Sequence, residues 1–179
     1  MKNDIKEILF TPAQLDEKIT ELGDQISKDY HGKDLLMIGV LKGANVFMSD
    51  LMRKIGTSVK IDFMAVSSYG LSTESSGVVR IIKDLDDSIE GKDVLVVEDI
   101  IDTGLTLHYL YDNLLSRKPN SLKICTLLDK PERRKVDINV NYKGFDIPDE
   151  FIVGYGIDYA EQYRNLPYVA ILKREVYER

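Results

Sequence analysis

Cysteine is almost missing from this chain. Of 179 residues only Cys125 is one, which excludes an internal disulfide and a thiolate metal cluster. It lies in the apolar stretch LKICTLL and reads as a buried strand residue. Histidine is nearly as scarce. His31 and His108 have no partner motif, so both read as structural or solvated. No apolar run approaches the ~20 residues of a membrane span. The N-terminal MKNDIKEILF mixes charge with apolar residues and has no signal-peptide core, so a cytoplasmic location without a membrane partner is expected. Long Lys/Arg runs are absent too. With 30 acidic against 24 basic residues the net charge is −6, so no nucleic acid partner is expected, and local groups must hold any anionic ligand. Two glycine signatures are lacking: G-x-G-x-x-G after a first strand, and the second half of a P-loop after Gly39–Gly43. Repeats, low-complexity tracts and linkers are absent, which leaves residues 1–179 as one expected domain. At 44% hydrophobic and 30% charged residues, the composition is that of a globular chain.

What is present alternates between strand and helix patterns. Thr11-Pro12 caps a helix whose Leu15, Ile19, Leu22 and Ile26 recur at helical spacing. Leu35–Leu41 reads as a buried strand, followed by a helix marked by Phe47, Leu51 and Ile55. Val59–Val66 is a further strand, with Ile61, Phe63 and Ala65 on one face. Residues 67–77, SSYGLSTESSG, lack apolar periodicity and predict a flexible loop before a short strand at Val78–Ile82. The strand Val94–Val97, a helix from about Gly104 to Leu115 and the strand Leu122–Leu128 come next. Phe151–Val153 and Val169–Leu172 are short strands in a less regular C-terminal third. The alternation predicts an α/β fold with a parallel-sheet core flanked by helices.

The chemistry concentrates at strand ends, where open α/β sheets bind ligands. The richest is VLVVEDIIDTGLT, Val94–Thr106. Glu98, Asp99 and Asp102 follow a buried strand, and Thr103-Gly104-Leu105-Thr106 opens a helix with amides and hydroxyls suited to a phosphate. The acids could bind sugar hydroxyls, hold a divalent cation or move a proton. Other strands end in Leu41-Lys42-Gly43, in Asp129-Lys130-Pro131 and in Gly154-Tyr155-Gly156-Ile157-Asp158. VLVVED with a later Lys-Pro also suggests a response-regulator receiver. However, only 80 residues follow Asp99, and Lys130 arrives too soon to leave room for a phosphoacceptor strand.

VLVVEDIIDTGLT resembles the phosphoribosyl-pyrophosphate motif of the type I phosphoribosyltransferases. LKGA at Leu41–Ala44 resembles their pyrophosphate loop, and SSYG at Ser67–Gly70 the start of their hood loop. DKPERR and the stretch Pro148–Val169 resemble the 6-oxopurine branch, as does Asp102. The resemblance covers nearly the whole chain. It implies a hood subdomain built from the termini and the C-terminal third. It further implies transfer of phosphoribosyl from phosphoribosyl pyrophosphate to hypoxanthine or guanine, giving IMP or GMP and pyrophosphate. A non-catalytic or pyrimidine-related regulator on the same fold is the alternative. By the resemblance, the segment from Asp102 through Thr103, Gly104, Leu105 and Thr106 holds the 5′-phosphate. Glu98 and Asp99 engage the ribose hydroxyls and help hold Mg²⁺, with Asp158 at a second Mg²⁺. Leu41, Lys42, Gly43 and Arg164 meet pyrophosphate. Phe151 stacks on the base, Ile152 meets its Watson–Crick edge and Lys130 donates to O6. Asp102 is the general base or acid at N7, and Ser68 and Tyr69 close over the reacting centre. Leu105 and Glu150 stand where some relatives carry lysine. The resemblance also implies a homodimer or homotetramer, and a cis peptide before Lys42 is common in the family.

Overall fold

A computed structural model describes residues 1–68 and 79–178. Its core is a six-stranded sheet built from β2 (Leu35–Leu41), β3 (Val59–Ser68), β4 (Val79–Lys83), β5 (Asp93–Ile101), β6 (Ser121–Asp129) and β7 (Tyr142–Asp146). The spatial order is β4-β3-β2-β5-β6-β7. Every pair is parallel except β3 with β4, so the expected parallel sheet carries an antiparallel edge strand.

Burial on both faces explains why the central strands read as unbroken apolar runs. Alternate residues Leu35, Met37, Leu95, Val97 and Cys125 meet α1 (Pro12–Asp29) and α2 (Ala44–Met52) through Leu15, Ile19, Phe47 and Leu51. Their neighbours Leu36, Ile38, Val94, Val96 and Ile124 meet α3 (Leu105–Ser116) through Leu107, Leu110 and Leu114 on the other face. α1 begins as expected. Pro12 is its first residue, and Thr11 and Gln14 form a reciprocal capping box. On β3, Ile61 does not join the core. It is 47% exposed, because β3 lies near the edge of the sheet, while Met64 is buried on the opposite face.

A second, three-stranded sheet joins the two ends of the chain. β1 (Ile5–Phe10) pairs antiparallel with β9 (Val169–Leu172), which pairs with β8 (Ile152–Val153). Val153, Tyr163, Leu166 and Leu172 form its small core, with Phe151, Tyr159 and Tyr177 packed against it. The short α4 (Arg174–Tyr177) closes the described chain. No helix among the described residues is long and apolar enough to cross a membrane.

β5 is flanked by β2 on one side and β6 on the other, while β2 continues outward to β3. The strand order therefore reverses between β2 and β5. In an open α/β sheet that switch point is where ligands bind.

Candidate functional site

β5 runs further than its apolar run. Hydrogen bonding to β6 carries it through Ile101, so Glu98 and Asp99 lie within the strand rather than after it. Successive strand residues face opposite sides, so the two carboxylates diverge. Asp99 turns toward the start of α2, so closely that a Cβ added at Gly43 would lie 2.6 Å from Asp99 Cγ. Its Oδ1 accepts the Ile100 N–H at 2.8 Å. Burial raises the Asp99 carboxyl to about 6; Ile100 N–H and Arg164 oppose the shift and Asp158 adds to it. Glu98 is raised well above the usual carboxylate range by burial, with Asp99 adding to the effect. Its Oε2 is buried without a hydrogen-bond partner among the described residues.

Past β5 the chain turns sharply into α3. Gly104 has φ +82°, a left-handed conformation that glycine adopts without strain, and it caps the helix. Thr103 Oγ1 accepts from Leu105 N at 3.4 Å. Thr103, Gly104 and Thr106 line a cavity of about 260 Å³ with Leu41, Glu98 and Asp102. Leu105 opens the helix without lining that space.

A second cavity, of about 510 Å³, opens on the other side of Asp102. Asp102 and Ile100 line both cavities. Lys130, Phe151, Ile152 and Asp158 also line the larger one. Lys130 is buried, and its Nζ donates to the Glu150 carbonyl at 2.8 Å. Phe151 is stacked on Tyr177, ring centroids 4.7 Å apart, with Tyr159 edge-on at 5.3 Å. One of its faces is therefore already covered by an aromatic ring from the C-terminal turn.

The third corner is cationic and bridged by acids. The Leu41-Lys42 peptide is cis. Gly156, at φ +96°, approaches the Gly43 carbonyl too closely for any Cβ, and this contact seats the 154–158 turn on the β2–α2 junction. Arg164 donates to the Gly156 carbonyl at 2.8 Å and pairs with Asp158 at 2.9 Å. Glu161 bridges Lys42 Nζ at 3.0 Å and Arg164 at 3.2 Å. A wider cleft of about 700 Å³ along α1 and α2 shares only Arg164 with this cluster and lies away from the acids of β5.

Around the switch point the fold thus gathers Leu41, Lys42, Gly43, Glu98, Asp99, the 102–106 segment, Lys130, Phe151, Ile152, Asp158 and Arg164. Tyr69 and the side chain of Ser68 lie outside the described residues. Sequence reasoning missed Arg133, Asp149, Glu161 and Tyr177. Arg133 stood in the DKPERR run, and Asp149 and Glu161 in the Pro148–Val169 stretch, without a role attached to any of them; Tyr177 lay outside every motif. No group of three or more acids, histidines or cysteines among the described residues is placed to hold a metal by itself. His31 and His108 are exposed, His108 lying 3.5 Å from Asp112.

The geometry is that of an open α/β protein whose acids, cations and glycine turn gather at the carboxyl edge of its six-stranded sheet, with a second, three-stranded antiparallel sheet built from the two ends of the chain. The chain belongs to the phosphoribosyl transferase domain family, whose profile matches residues 5–160. It is 59% identical, over 99% of both chains, to a hypoxanthine-guanine phosphoribosyltransferase of Staphylococcus aureus. It is 56% identical over 177 residues to the bifunctional protein TilS/HprT of Listeria monocytogenes, but spans only 27% of that protein's length. A crystal structure of a hypoxanthine phosphoribosyltransferase from S. aureus superposes with a TM-score of 0.98 at 58% identity, covering 100% of this chain and 97% of that one. A Bacillus anthracis hypoxanthine-guanine phosphoribosyltransferase, solved with HEPES in its active site, gives 0.91 at 57% identity over 94% and 99%.

Proposed function

We propose that this chain transfers the 5-phosphoribosyl group from phosphoribosyl pyrophosphate to hypoxanthine or guanine, giving IMP or GMP and pyrophosphate in purine salvage. The observation that carries the reading is Asp102, which stands on the wall shared by two cavities. One offers the amides and hydroxyls at the start of α3, suited to a 5′-phosphate. The other offers a buried ammonium and an aromatic ring, suited to a planar base with an oxo group. A sugar seated at the first and a base at the second meet beside one carboxylate.

In the reaction, a bond forms between purine N9 and C1′ while the bond from C1′ to pyrophosphate breaks. The proton leaving N7 passes to Asp102, and Lys130 holds O6. The ribosyl group carries positive charge at the transition state. Placement and electrostatics are therefore what the protein must supply. Glu98 and Asp99 face the ribose hydroxyls, and the Glu98 oxygen left without a partner has a role once a hydroxyl or cation joins it. Mg²⁺ suits these hard oxygen donors and would neutralise the pyrophosphate. Glu98 and Asp99 would help hold one ion and Asp158 a second, each together with substrate oxygens, since no group of three or more acids among the described residues is placed to hold a metal by itself. Lys42, the Gly43 backbone and Arg164 receive the leaving pyrophosphate, with Leu41 beside them. Ser68, the last residue of β3, and Tyr69 are assigned the role expected of them, closing over the reacting centre. We read the two sheets as core and hood of a single cytoplasmic domain that assembles as a homodimer or homotetramer.

Two measurements test the reading. A panel of hypoxanthine, guanine, xanthine, adenine and uracil with phosphoribosyl pyrophosphate and Mg²⁺ should give kcat/KM values that favour the 6-oxopurines. Asp102→Asn should lower kcat by roughly 10²–10⁴-fold, with phosphoribosyl pyrophosphate binding retained. Full turnover in that variant, or no IMP from the parent enzyme, overturns it.

A further inference from the structure

The rim of the base cavity carries a guanidinium that the proposed reaction has not used. Arg133 Nε donates to Asp102 Oδ1 at 2.9 Å. Its Nη1 lies 3.6 Å from Asp149 Oδ2, and Asp149 Oδ1 lies 3.9 Å from Lys130 Nζ. Charges therefore alternate Lys130, Asp149, Arg133, Asp102 along the rim of the base cavity, and all four residues line it. Arg133 belongs to a short 3₁₀ turn, Pro131–Arg133, whose backbone is pinned by Arg133 N–H donating to the Lys130 carbonyl at 3.1 Å. The same turn thus fixes the residue that addresses O6 and the residue that grips the acid at N7. Arg134, next along, turns the other way, to the Asp129 carboxylate and the Asp102 carbonyl, and braces the loop from beneath.

Among the described residues, the Asp102 carboxylate has Arg133 as its hydrogen-bond partner. Its side chain is 47% exposed, on a loop between a strand end and a glycine. A carboxylate there is free to choose among rotamers, and each non-productive one costs turnover. A base held by a third group is the usual remedy.

We propose that Arg133 is a positioning residue for this reaction: paired with Asp102 and steadied by Asp149, it holds the carboxylate in the orientation that meets purine N7. This rests on the function proposed above and deepens it by naming what orients its general base. Arg133 lines the base cavity but not the one beside the start of α3, and its shortest side-chain contact is to Asp102, so its influence is assigned to that carboxylate.

The experiment is a double-mutant cycle read by steady-state kinetics with hypoxanthine. Arg133→Gln should lower kcat about five- to tenfold, near and just beyond what an exposed charge pair supplies in water, while KM for phosphoribosyl pyrophosphate holds. Arg133→Lys should recover part of the loss, since it restores the charge without the planar fork. In an Asp102→Asn background, Arg133→Gln should change kcat by less than about twofold, because the partner it orients is already gone. Asp149→Asn should give a smaller loss than Arg133→Gln. Multiplicative losses in the double variant overturn the proposal and assign Arg133 an independent role. An unchanged kcat in Arg133→Gln overturns it as well. Failure of the underlying function shows separately, as absence of IMP formation by the unmodified protein.

Discussion

The contact between Gly43 and Asp99 offers a direct test of how the site is assembled. Gly43 sits at φ −59° and ψ −42°, a helical conformation open to any residue, so alanine there pays no backbone penalty. Its methyl group, however, would lie 2.6 Å from Asp99 Cγ and 3.2 Å from Oδ1, with Oδ2 nearer still. Asp99 cannot swing away freely, because Oδ1 is tied to the Ile100 N–H at 2.8 Å and β5 is paired on both sides. Overpacking of this kind costs about 1–3 kcal/mol. For a domain of this size that lowers Tm by roughly 2–12 °C. Differential scanning fluorimetry of Gly43→Ala, Asp99→Ala and the double variant separates clash from other causes. Asp99→Ala removes the obstructing carboxylate, so Gly43→Ala should cost almost nothing in its presence. An equal Tm loss in both backgrounds would refute the steric account, and no loss in the first would place Asp99 elsewhere.

Glu161 pairs with both Lys42 and Arg164, the cations proposed to receive pyrophosphate, so Glu161→Gln should free them and lower KM for phosphoribosyl pyrophosphate about two- to fivefold, the scale of exposed ion pairs; an increased KM would contradict this. Cys125 is buried and its thiol is pushed well above the ordinary thiol range by that burial, so Ellman's reagent should label it only on unfolding. Asp99 is raised to about 6 in the free protein, above its ordinary 3.8, so its ionisation costs stability from about pH 4 upward and the cost is complete above about pH 6. Asp99→Asn should therefore raise Tm at pH 8, and the gain should vanish as pH falls toward about 4; a gain that grows on acidification reverses the sign and defeats the assignment.

Central elements were legible in the sequence because burial on both faces leaves an unmistakable apolar run, as in Leu35–Leu41. β5 was cut short at Val97 for the same reason: its acids break the run. Pairing with β6, however, continues through Ile101 opposite Asp129, and ladder hydrogen bonds hold polar residues that no hydropathy pattern admits. β1 was missed because IKEILF finds its partner in Val169–Leu172, at the far end of the chain, and presents mixed exposure. The stretch after Gly154 resisted reading because Gly154, Tyr155, Gly156, Ala160, Glu161 and Tyr163 all adopt positive φ, so no helical or strand period survives. At the site, Glu98, Asp99, Asp102 and Lys130 stood out as polar residues interrupting strand ends. Arg133 did not, since an arginine 31 positions from its partner in a charged turn looks like a solvated one.

The least stable feature of the free site is also its most useful. A protein selected for stability alone would not bury Glu98 Oε2 without a donor, nor set Asp99 where desolvation resists its charge. Both acids lie on the strand beside the switch point, where the neighbouring backbone fixes them before any ligand arrives. Under the proposed function, ribose hydroxyls or a divalent cation would supply the missing partners, so binding would relieve a cost that folding had already incurred. The same logic applies to Lys42 and Arg164, which lie against Glu161, an anion held close enough to neutralise them and exposed enough that the proposed pyrophosphate would displace it. The charges at the switch point are thus each poorly or provisionally satisfied in the free protein; if the proposed substrate completes them, its binding energy is directed to the reacting centre rather than to the empty protein.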